Sequence, residues 1–294
     1  MACVAAACGT GVETGKRVTD RDVARVVGHA SQAGTALSVT YSDSVPMWQP
    51  GKRFFVTDDN ARLLFEHSRA FDRDTLHLAG RYLTYAGCDT VLSLDGRRVV
   101  NLLFDDGPRH LVYRTSKAPG EFTPSFVVPF LVNMDMVEHY RSRLVGHEFY
   151  VMTPIWYDAG SEEMKRGRKF VKVTVDDVAP GNKVLPLKVI FTARDNGERA
   201  LVWLSSGNEL MNNRTFDALF ALNDPRQSYP HISDAHWQLI VNGHVDEGMT
   251  KEECRLALGA PRSIAQLPDQ TGLREVWSYD GGVTLHFVDG LLVK

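Results

Sequence analysis

The spacing of short β-rich runs is the feature that most restricts the fold of this 294-residue chain. Runs rich in Val, Leu, Phe and Thr alternate with turn residues between positions 36 and 115 and again between 148 and 204. Asp95-Gly96 and Asp106-Gly107 are typical hairpin turns, because both residue types tolerate positive φ. Closely spaced strands with such turns predict small antiparallel sheets or barrels.

Each β-rich region follows a predicted helix. The helices are Asp20–Gln32 and Asp135–Leu144, where Asn133 or Asp135 can cap the second and Gly146 ends it. The predicted strands are Ala36–Tyr41, Arg53–Thr57, Arg62–Phe65, Thr75–Leu83, Thr90–Leu94, Arg98–Phe104, His110–Thr115, Glu148–Met152, Lys169–Val175, Val184–Phe191 and Arg199–Leu204.

The two β-rich regions share an internal repeat. The segment from Gly51 to Val56 matches the one from Gly146 to Val151, and Gly80–Leu83 resembles Gly167–Phe170. The offset is roughly 85–95 residues in each match, which is the length of one small β-module. The pattern therefore predicts two copies of one module.

The carboxy-terminal segment carries distinct helix signals. Ser233 can cap a first helix, and Thr250 with Glu253 forms a capping box that begins a second. Gly259 and Pro261 then prevent the second helix from continuing. Alternating residues and Asp-Gly turns after it predict a three-stranded meander.

These patterns together predict an α+β fold with several domains. Two repeated β-barrel or sheet modules, each preceded by a helix, come before a two-helix, three-stranded antiparallel domain. The predicted divisions are a tail over 1–18, modules over 19–117 and 118–206, a linker over 207–230 and a terminal domain over 231–294.

Charge and hydropathy exclude several classes of protein. The chain has 33 Lys and Arg against 36 Asp and Glu, a net charge of −3, so no basic footprint for nucleic acid exists. No run of 18 apolar residues is present, so no membrane-spanning helix is expected. A hydrophobic content of 44% is typical of a globular protein.

The four cysteines do not form a metal-binding pattern. Cys88 and Cys254 are predicted to be small buried hydrophobic residues. Cys8 follows small apolar residues and precedes polar ones, which resembles the end of a bacterial lipoprotein signal. The basic region and the longer apolar stretch of a full signal are missing before Cys8. Acylation at Cys8 would tether the chain to a membrane, and an untethered tail is the alternative.

The carboxy-terminal motif consists of Gly248, Met249, Thr250, Glu253, Gly259, Pro261, Trp277, Tyr279 and Phe287. It resembles the SmpA/OmlA (BamE-like) family, small lipoproteins of the outer-membrane β-barrel assembly machinery. The resemblance covers about 60 residues, and this fold recurs in envelope proteins and in inhibitors of β-lactamases. It implies structural roles and no binding role for its residues, because one fold serves many functions.

The two β-modules resemble bacterial Src-homology-3-like barrels in strand pattern and size. Those barrels often bind cell-wall peptides. Trp156 and Tyr157 at a strand end, and Trp48 in a comparable place of the first module, are therefore candidate ligand contacts. Core packing is the alternative for these aromatic residues.

A basic cluster in the second module is the other candidate binding feature. It contains Lys165, Arg166, Arg168 and Lys169. An anionic lipid headgroup or cell-wall polymer would fit such a cluster. A solvated hairpin is the alternative.

No catalytic motif is present in the sequence, and neither a metal nor a cofactor is expected. The sequence therefore predicts a non-enzymatic binding or scaffolding protein. The two resemblances imply that it belongs to the bacterial cell envelope and faces the periplasm. Its expected partner is an envelope protein or peptidoglycan. A periplasmic or secreted inhibitor that binds a protein, and an enzyme whose site forms between domains, are the alternatives.

Overall fold

The computed structural model is a mixed α+β structure of mostly antiparallel sheets with few helices, as predicted at the level of fold class. Contacts divide the chain into two compact units, one over Gly34–Pro225 and one that includes Arg226–Lys294. The structure describes residues 41–66, 75–124, 126–207, 214–269 and 272–293. The predicted helix Asp20–Gln32 and almost all of the predicted strand Ala36–Tyr41 lie outside these residues.

The first sheet of the larger unit has five antiparallel strands in the order β4-β3-β2-β1-β5. Both Asp-Gly turns are confirmed, since Gly96 and Gly107 have positive φ and join consecutive strands of the meander. Phe54, Leu83 and Phe104 are buried in its core. The strands are β1 (Arg53–Val56), β2 (Tyr82–Leu92), β3 (Arg98–Asp106), β4 (Arg109–Arg114) and β5 (Leu131–Asn133).

Helix α1 (Met134–Leu144) follows β5 and confirms the prediction for this region. The Asn133 side chain accepts a hydrogen bond from the backbone N–H of Asp135, so Asn133 is the cap. Four side chains of the helix are buried: Met136, Val137, Tyr140 and Leu144.

The second sheet has seven strands in the order β12-β6-β9-β10-β11-β7-β8. Its last strand follows a short helix, α2 (Phe216–Leu219), within the stretch predicted as a linker. The strands are β6 (Glu148–Val151), β7 (Ile155–Asp158), β8 (Met164–Arg166), β9 (Val171–Pro180), β10 (Leu187–Ala193), β11 (Arg199–Leu204) and β12 (Phe220–Ala221).

Five strands of the second sheet repeat the order of the first. Strands β11-β10-β9-β6-β12 lie in the sequence-equivalent order to β4-β3-β2-β1-β5. In the first sheet, Gly51 N–H donates to the Tyr85 carbonyl at 2.8 Å. In the second, Gly146 N–H donates to the Val175 carbonyl at 2.9 Å.

The long strand of each sheet is also interrupted by a bulge at the same point. In β2 the register shifts between Tyr85 and Gly87, immediately after the pairing of Tyr85 with Phe104. In β9 it shifts immediately after the pairing of Val175 with Phe191. Such bulges increase the local twist of a sheet, so the two sheets bend at equivalent positions.

Backbone hydrogen bonds change one of the residue matches predicted between the two sheets. Gly80 N–H donates to Val56 and Phe170 N–H donates to Val151, at 2.9 and 2.6 Å. Both donors have left-handed φ, 78° and 59°. Gly80 therefore corresponds to Phe170, and the predicted match of Gly80 with Gly167 is wrong by three residues.

Several strand predictions in the larger unit are wrong. Arg62–Phe65 was expected as a strand, but Asp59–Leu64 forms a 3-10 helix because the Asp58 carboxylate accepts the Asn60 N–H and begins a helical turn. Most of the strand predicted over Thr75–Leu83 is wrong, because β2 begins only at Tyr82. The strand predicted over Thr90–Leu94 is not separate, because β2 continues past its bulge to Leu92.

The smaller unit contains the two predicted helices and a sheet of four strands instead of three. The additional strand is β13, which contains Pro268 and few β-formers and was therefore not predicted. The helices are α3 (Asp234–Val241) and α4 (Lys251–Leu258), and the strands, in sheet order, are β13 (Ser263–Asp269), β14 (Gly272–Ser278), β15 (Thr284–Val288) and β16 (Leu291–Leu292).

Both predicted helix caps of the smaller unit are confirmed. Ser233 Oγ accepts the His236 N–H at 3.1 Å, and Thr250 Oγ1 accepts the Glu253 N–H at 3.2 Å. The Glu253 carboxylate in turn accepts the Thr250 N–H at 2.6 Å, which completes the capping box. Gly259 ends α4 with a φ of 89°.

The other motif residues of the smaller unit contribute to its core and turns. Trp277 and Phe287 are buried with ring centroids 4.7 Å apart, and Met249 is fully buried. The Tyr279 hydroxyl donates to the Gly259 carbonyl at 3.3 Å. Gly248 adopts a φ of 85° before α4, and Pro261 follows its end.

We expect Gly167→Ala to lower the free energy of unfolding by about 1–3 kcal/mol. An added Cβ would lie 2.1 Å from the ring of Trp156, which is fully buried and cannot move aside. Gly160→Ala is the control, since its nearest neighbour is a side-chain oxygen of Asp158 at 3.4 Å. Urea unfolding measures both, and equal stabilities would contradict the packing described here.

Glu253→Gln should reduce stability at pH 7 by about 1–2 kcal/mol. Burial raises the pKa of Glu253, but hydrogen bonds from Thr250 and His236 outweigh it and hold the pKa below the ordinary 4.5. The charged form therefore stabilises the fold above pH 4.5, and this contribution is lost as pH falls through the folded pKa.

Thermal unfolding between pH 8 and pH 3 tests this expectation. The stability difference between wild type and Glu253→Gln should shrink below pH 4.5, the ordinary glutamate pKa. Glu252→Gln is the matched control, because the Glu252 side chain is 54% exposed and contacts only the exposed His231 among the pairs described. A difference that stays constant down to pH 3 would show that the charge of Glu253 does not contribute.

Candidate binding groove

A groove in the larger unit is the strongest candidate for a ligand site. Its cavity volume is about 120 Å³. Trp48 and Phe54 form one wall, Phe126 and Phe130 come from the segment before β5, and Val184 comes from the loop before β10. The walls are therefore mainly aromatic and aliphatic, as is usual for binding sites.

Trp48, one of the predicted contacts, lies in this groove. Its ring packs against Phe54 and Tyr85 with centroid distances of 4.9 and 5.4 Å. Its indole Nε1 is buried and has no acceptor among the described residues. A buried donor without a partner is costly, so this enclosed N–H destabilises the wall beside the groove.

A polar cluster closes one end of the groove. Lys52 Nζ lies 2.9 Å from an Asp43 carboxylate oxygen and also bonds Asp135. Asn133 donates to Asp43 at 3.0 Å, and the Tyr41 hydroxyl donates to the same carboxylate at 3.2 Å. These bonds fix the chain before β1 to the start of α1.

The pKa values of this cluster reflect burial and close pairing. Burial lowers the pKa of Lys52, but hydrogen bonds to Asp135 and Asp43 outweigh it and raise the pKa above its ordinary value. Burial raises the pKa of Tyr41, and Lys52 partly opposes that effect. Both groups are held in their protonated forms, which suits positioning and hydrogen bonding.

Trp156 does not contact the surface, so its prediction as a ligand contact is wrong. It is fully buried, and its Nε1 donates to the Thr153 carbonyl at 2.9 Å. Its ring meets Phe191 edge-on at 5.1 Å. In the first sheet Phe65 meets Phe104 at 6.1 Å in the same way, so Phe65, and not Trp48, is the counterpart of Trp156.

Tyr157 lies on the opposite face of β7 from Trp156. Consecutive strand residues point to opposite faces, so the two rings cannot line one groove. Tyr157 packs against Trp203 at a centroid distance of 6.0 Å, beside buried Leu185 and Leu201. Trp203 was not predicted, because a Trp within a strand gives no sign of which face it occupies.

The predicted basic cluster is not one anion-binding surface. Lys165 Nζ lies 2.9 Å from Glu198, and Arg168 donates to Asp195 at 3.0 Å. Lys169 is only 8% exposed, and burial, followed by the charge of Arg166, lowers its pKa to about 8. Arg166 is exposed and also has a partner of its own. Most of these cationic groups are therefore either paired with carboxylates or buried.

The predictions for the cysteines are confirmed in one case and wrong in another. Cys254 is fully buried as predicted, and burial raises the pKa of its thiol to about 12, so it stays protonated. Cys88 is exposed on β2, contrary to the prediction. Cys8 lies outside the described residues.

No three His, Cys, Asp or Glu side chains are grouped so that they could hold a metal ion in the part of the chain described. Across the same residues, no helix has the length and apolar character needed to cross a bilayer.

The groove residues missed by sequence analysis come mostly from connectors. Phe126 and Phe130 lie between Pro124 and β5, and Val184 lies in a turn. Two phenylalanines in a Pro-rich connector were the available indication, since large aromatic residues are uncommon in solvated loops.

Lys52→Met should lower the free energy of unfolding by about 1–3 kcal/mol, because Asp43 would lose its ammonium partner while largely buried. Lys188→Met is the control, because its partner Glu162 is 41% exposed and water can replace the ammonium. We expect less than about 1 kcal/mol there. Urea unfolding compares them, and equal losses would show that the cluster does not fix the groove.

Comparison with known proteins does not assign a ligand to the groove. No protein-family model matches the chain, and no curated protein has a significantly similar sequence. The functional argument therefore depends on the geometry and chemistry of the described residues.

Proposed function

We propose that the chain is a non-enzymatic binding or scaffolding protein of the bacterial cell envelope. The observation that carries this proposal is the aromatic groove, where the Trp48 indole N–H has no described partner. A small apolar site with a few polar groups is suited to recognising part of a larger molecule.

The arrangement of polar groups favours binding over catalysis. Asp43 accepts hydrogen bonds from Asn133 and Tyr41 and pairs with Lys52. A general base needs a free lone pair directed at substrate, whereas this carboxylate is occupied by protein donors. The cluster therefore acts as a rigid end wall.

The shared strand order supports a proposal about the fold. We infer that the two sheets of the larger unit are repeated Src-homology-3-like modules, since both have the same pairing and the same bulge. We also propose that the smaller unit is a SmpA/OmlA (BamE-like) domain. The capping box and the buried Trp277–Phe287 pair support it.

The proposed location follows from these resemblances. The protein would face the periplasm or be anchored to the outer membrane through acylated Cys8, with an envelope protein or peptidoglycan as its partner. Nucleic acid and cofactors are not part of the proposal.

The inhibitor alternative needs an aromatic patch on the terminal sheet. The described outward-facing side chains of β14 and β15 include Arg274, Val276, Thr284 and His286. Trp277 and Phe287 point to the buried face instead. This difference favours the groove as the binding site.

Val184→Glu should weaken binding at the groove, because it places a charge in the apolar wall at Val184, which is 52% exposed. Two parallel assays measure it: cosedimentation of the purified full chain with peptidoglycan, and pulldown from bacterial envelope extract. At least a tenfold loss, about 1.4 kcal/mol, is expected in whichever assay gives binding.

Val293→Glu is the matched control, since Val293 is 45% exposed and lies in the smaller unit. If binding is lost only in Val293→Glu, the binding site lies in the smaller unit. No binding in either assay would contradict the proposed function.

A further inference from the structure

We propose that the tip of the β2–β3 hairpin, Leu92–Arg98, inserts into the interface of a phospholipid bilayer. None of these described residues lines the groove, so the proposed contact goes beyond the proposed function. Three features of the tip support it: two exposed leucines, a turn whose main chain is largely hydrogen-bonded, and an unpaired arginine behind the apex.

The tip exposes two large apolar side chains. Leu94 is fully exposed, and Leu92 is 73% exposed. The four residues that follow Leu94 are exposed as well, so the tip projects from the sheet into solvent. Gly, Pro, Asn, Asp and Ser are the residues that turns favour, so the turn itself does not require a leucine at its apex.

The equivalent hairpin of the second sheet covers its leucine. Residues 181–186 join β9 to β10, and Leu185 among them is only 8% exposed because it packs with Leu201 and Trp203. The Asn182 side chain accepts the Leu185 N–H at 2.9 Å and holds this turn folded back. Val184, the other large apolar residue of the turn, lines the groove. The first hairpin leaves both of its leucines without such cover.

The main chain of the tip is suited to leaving water. Ser93 N–H donates to the Arg97 carbonyl at 2.8 Å, and Gly96 N–H donates to the Ser93 carbonyl at 2.9 Å. The Asp95 carboxylate accepts the Arg97 N–H at 3.2 Å. Unsatisfied backbone groups oppose entry into an apolar region, and these three N–H groups are already satisfied within the tip.

The charges of the tip fit a phospholipid surface. Arg97 and Asp95 form an ion pair at 2.6 Å, so they enter the headgroup region as a neutral unit. Arg98 lies opposite Leu92 across the hairpin, is exposed, and has no carboxylate partner among the described residues. A lipid phosphate supplies the counter-ion that Arg98 lacks.

The length of the tip matches the depth of a bilayer interface. Leu92 and Arg98 lie two residues behind Leu94, which is about 7 Å along a strand. Apolar groups of interfacial elements are buried about 5–10 Å into the boundary between headgroups and acyl chains. Leu94 would therefore reach the acyl chains while Arg98 stays beside the phosphates.

A bilayer fits this tip better than a folded protein does. A protein partner would need a complementary cavity for a projecting leucine, whereas lipid chains move around it. Two leucines have fewer apolar carbons than a myristoyl chain, which binds bilayers with about 10⁴ M⁻¹, so we expect about 10²–10³ M⁻¹ for the tip. Such a contact orients a protein at a membrane without anchoring it alone.

The test is cosedimentation of the full chain with vesicles of equal parts phosphatidylcholine and phosphatidylglycerol, at about 5 mM lipid. All proteins carry Cys8→Ser, which excludes a covalently attached lipid. Leu92→Ser combined with Leu94→Ser should weaken the partition at least about tenfold, because both side chains then lose their apolar transfer to lipid.

Met47→Ser combined with Met164→Ser is the matched control, since these side chains are 71% and 72% exposed and lie outside the tip. This variant should bind vesicles as the parent does. Thermal unfolding verifies that both double variants fold. The inference is wrong if the parent does not sediment, if the leucine variant sediments equally well, or if the methionine variant loses as much.

Arg98→Gln tests the role of the charge. It should weaken binding to the mixed vesicles about fivefold, because each arginine near an anionic surface contributes to attraction. The loss should be smaller on pure phosphatidylcholine, whose surface has no net charge. Equal losses on both vesicles would show that Arg98 does not contact the anionic headgroups.

The outcomes also separate this inference from the proposed function. Val184→Glu should leave vesicle binding unchanged, because Val184 lies in the groove and not in the tip. If the leucine variant loses a protein partner in the envelope pulldown and the parent does not bind vesicles, the tip is a protein contact and the lipid inference is wrong.

Discussion

Backbone pairing between a short first strand and a long bulged strand is the constraint on which the larger unit depends. It joins β1 to β2 and β6 to β9, and each bulge lies at the same distance from that pairing. Because main-chain hydrogen bonds determine which faces are buried, both first strands have the same alternation of exposed and buried residues. The buried residues Phe54 and Val56 of the first sheet, and Phe149 and Val151 of the second, follow from this shared register.

Sequence patterns predicted the features that depend on local chemistry. Ser233 and Thr250 begin helices because their side chains satisfy free backbone N–H groups, and that interaction needs only neighbouring residues. Strands such as β5, β8 and β12 are two or three residues long, and they exist because a distant strand offers a hydrogen-bonding edge. No local pattern of such short segments could have predicted them.

The candidate site was predictable only in part for the same reason. Trp48 was predicted as a ligand contact from its place in the first module, and it does lie in the groove. Trp156 was selected on similar grounds and is a core residue, because Gly167 leaves space for its ring and β7 turns it inward. Whether an aromatic side chain faces a cavity or a core depends on sheet pairing, which brings residues far apart in sequence together.

Gly80 and Phe170 have a consequence for how the two sheets can be compared. One left-handed backbone position is occupied by glycine in one sheet and by phenylalanine in the other, although the hydrogen bond to the first strand is the same. Phe170 therefore keeps the left-handed conformation that normally favours glycine. A fixed hydrogen bond can offset the backbone strain of about 1–2 kcal/mol. A comparison of main-chain hydrogen-bond partners therefore aligns these two sheets at a position where the residue types differ.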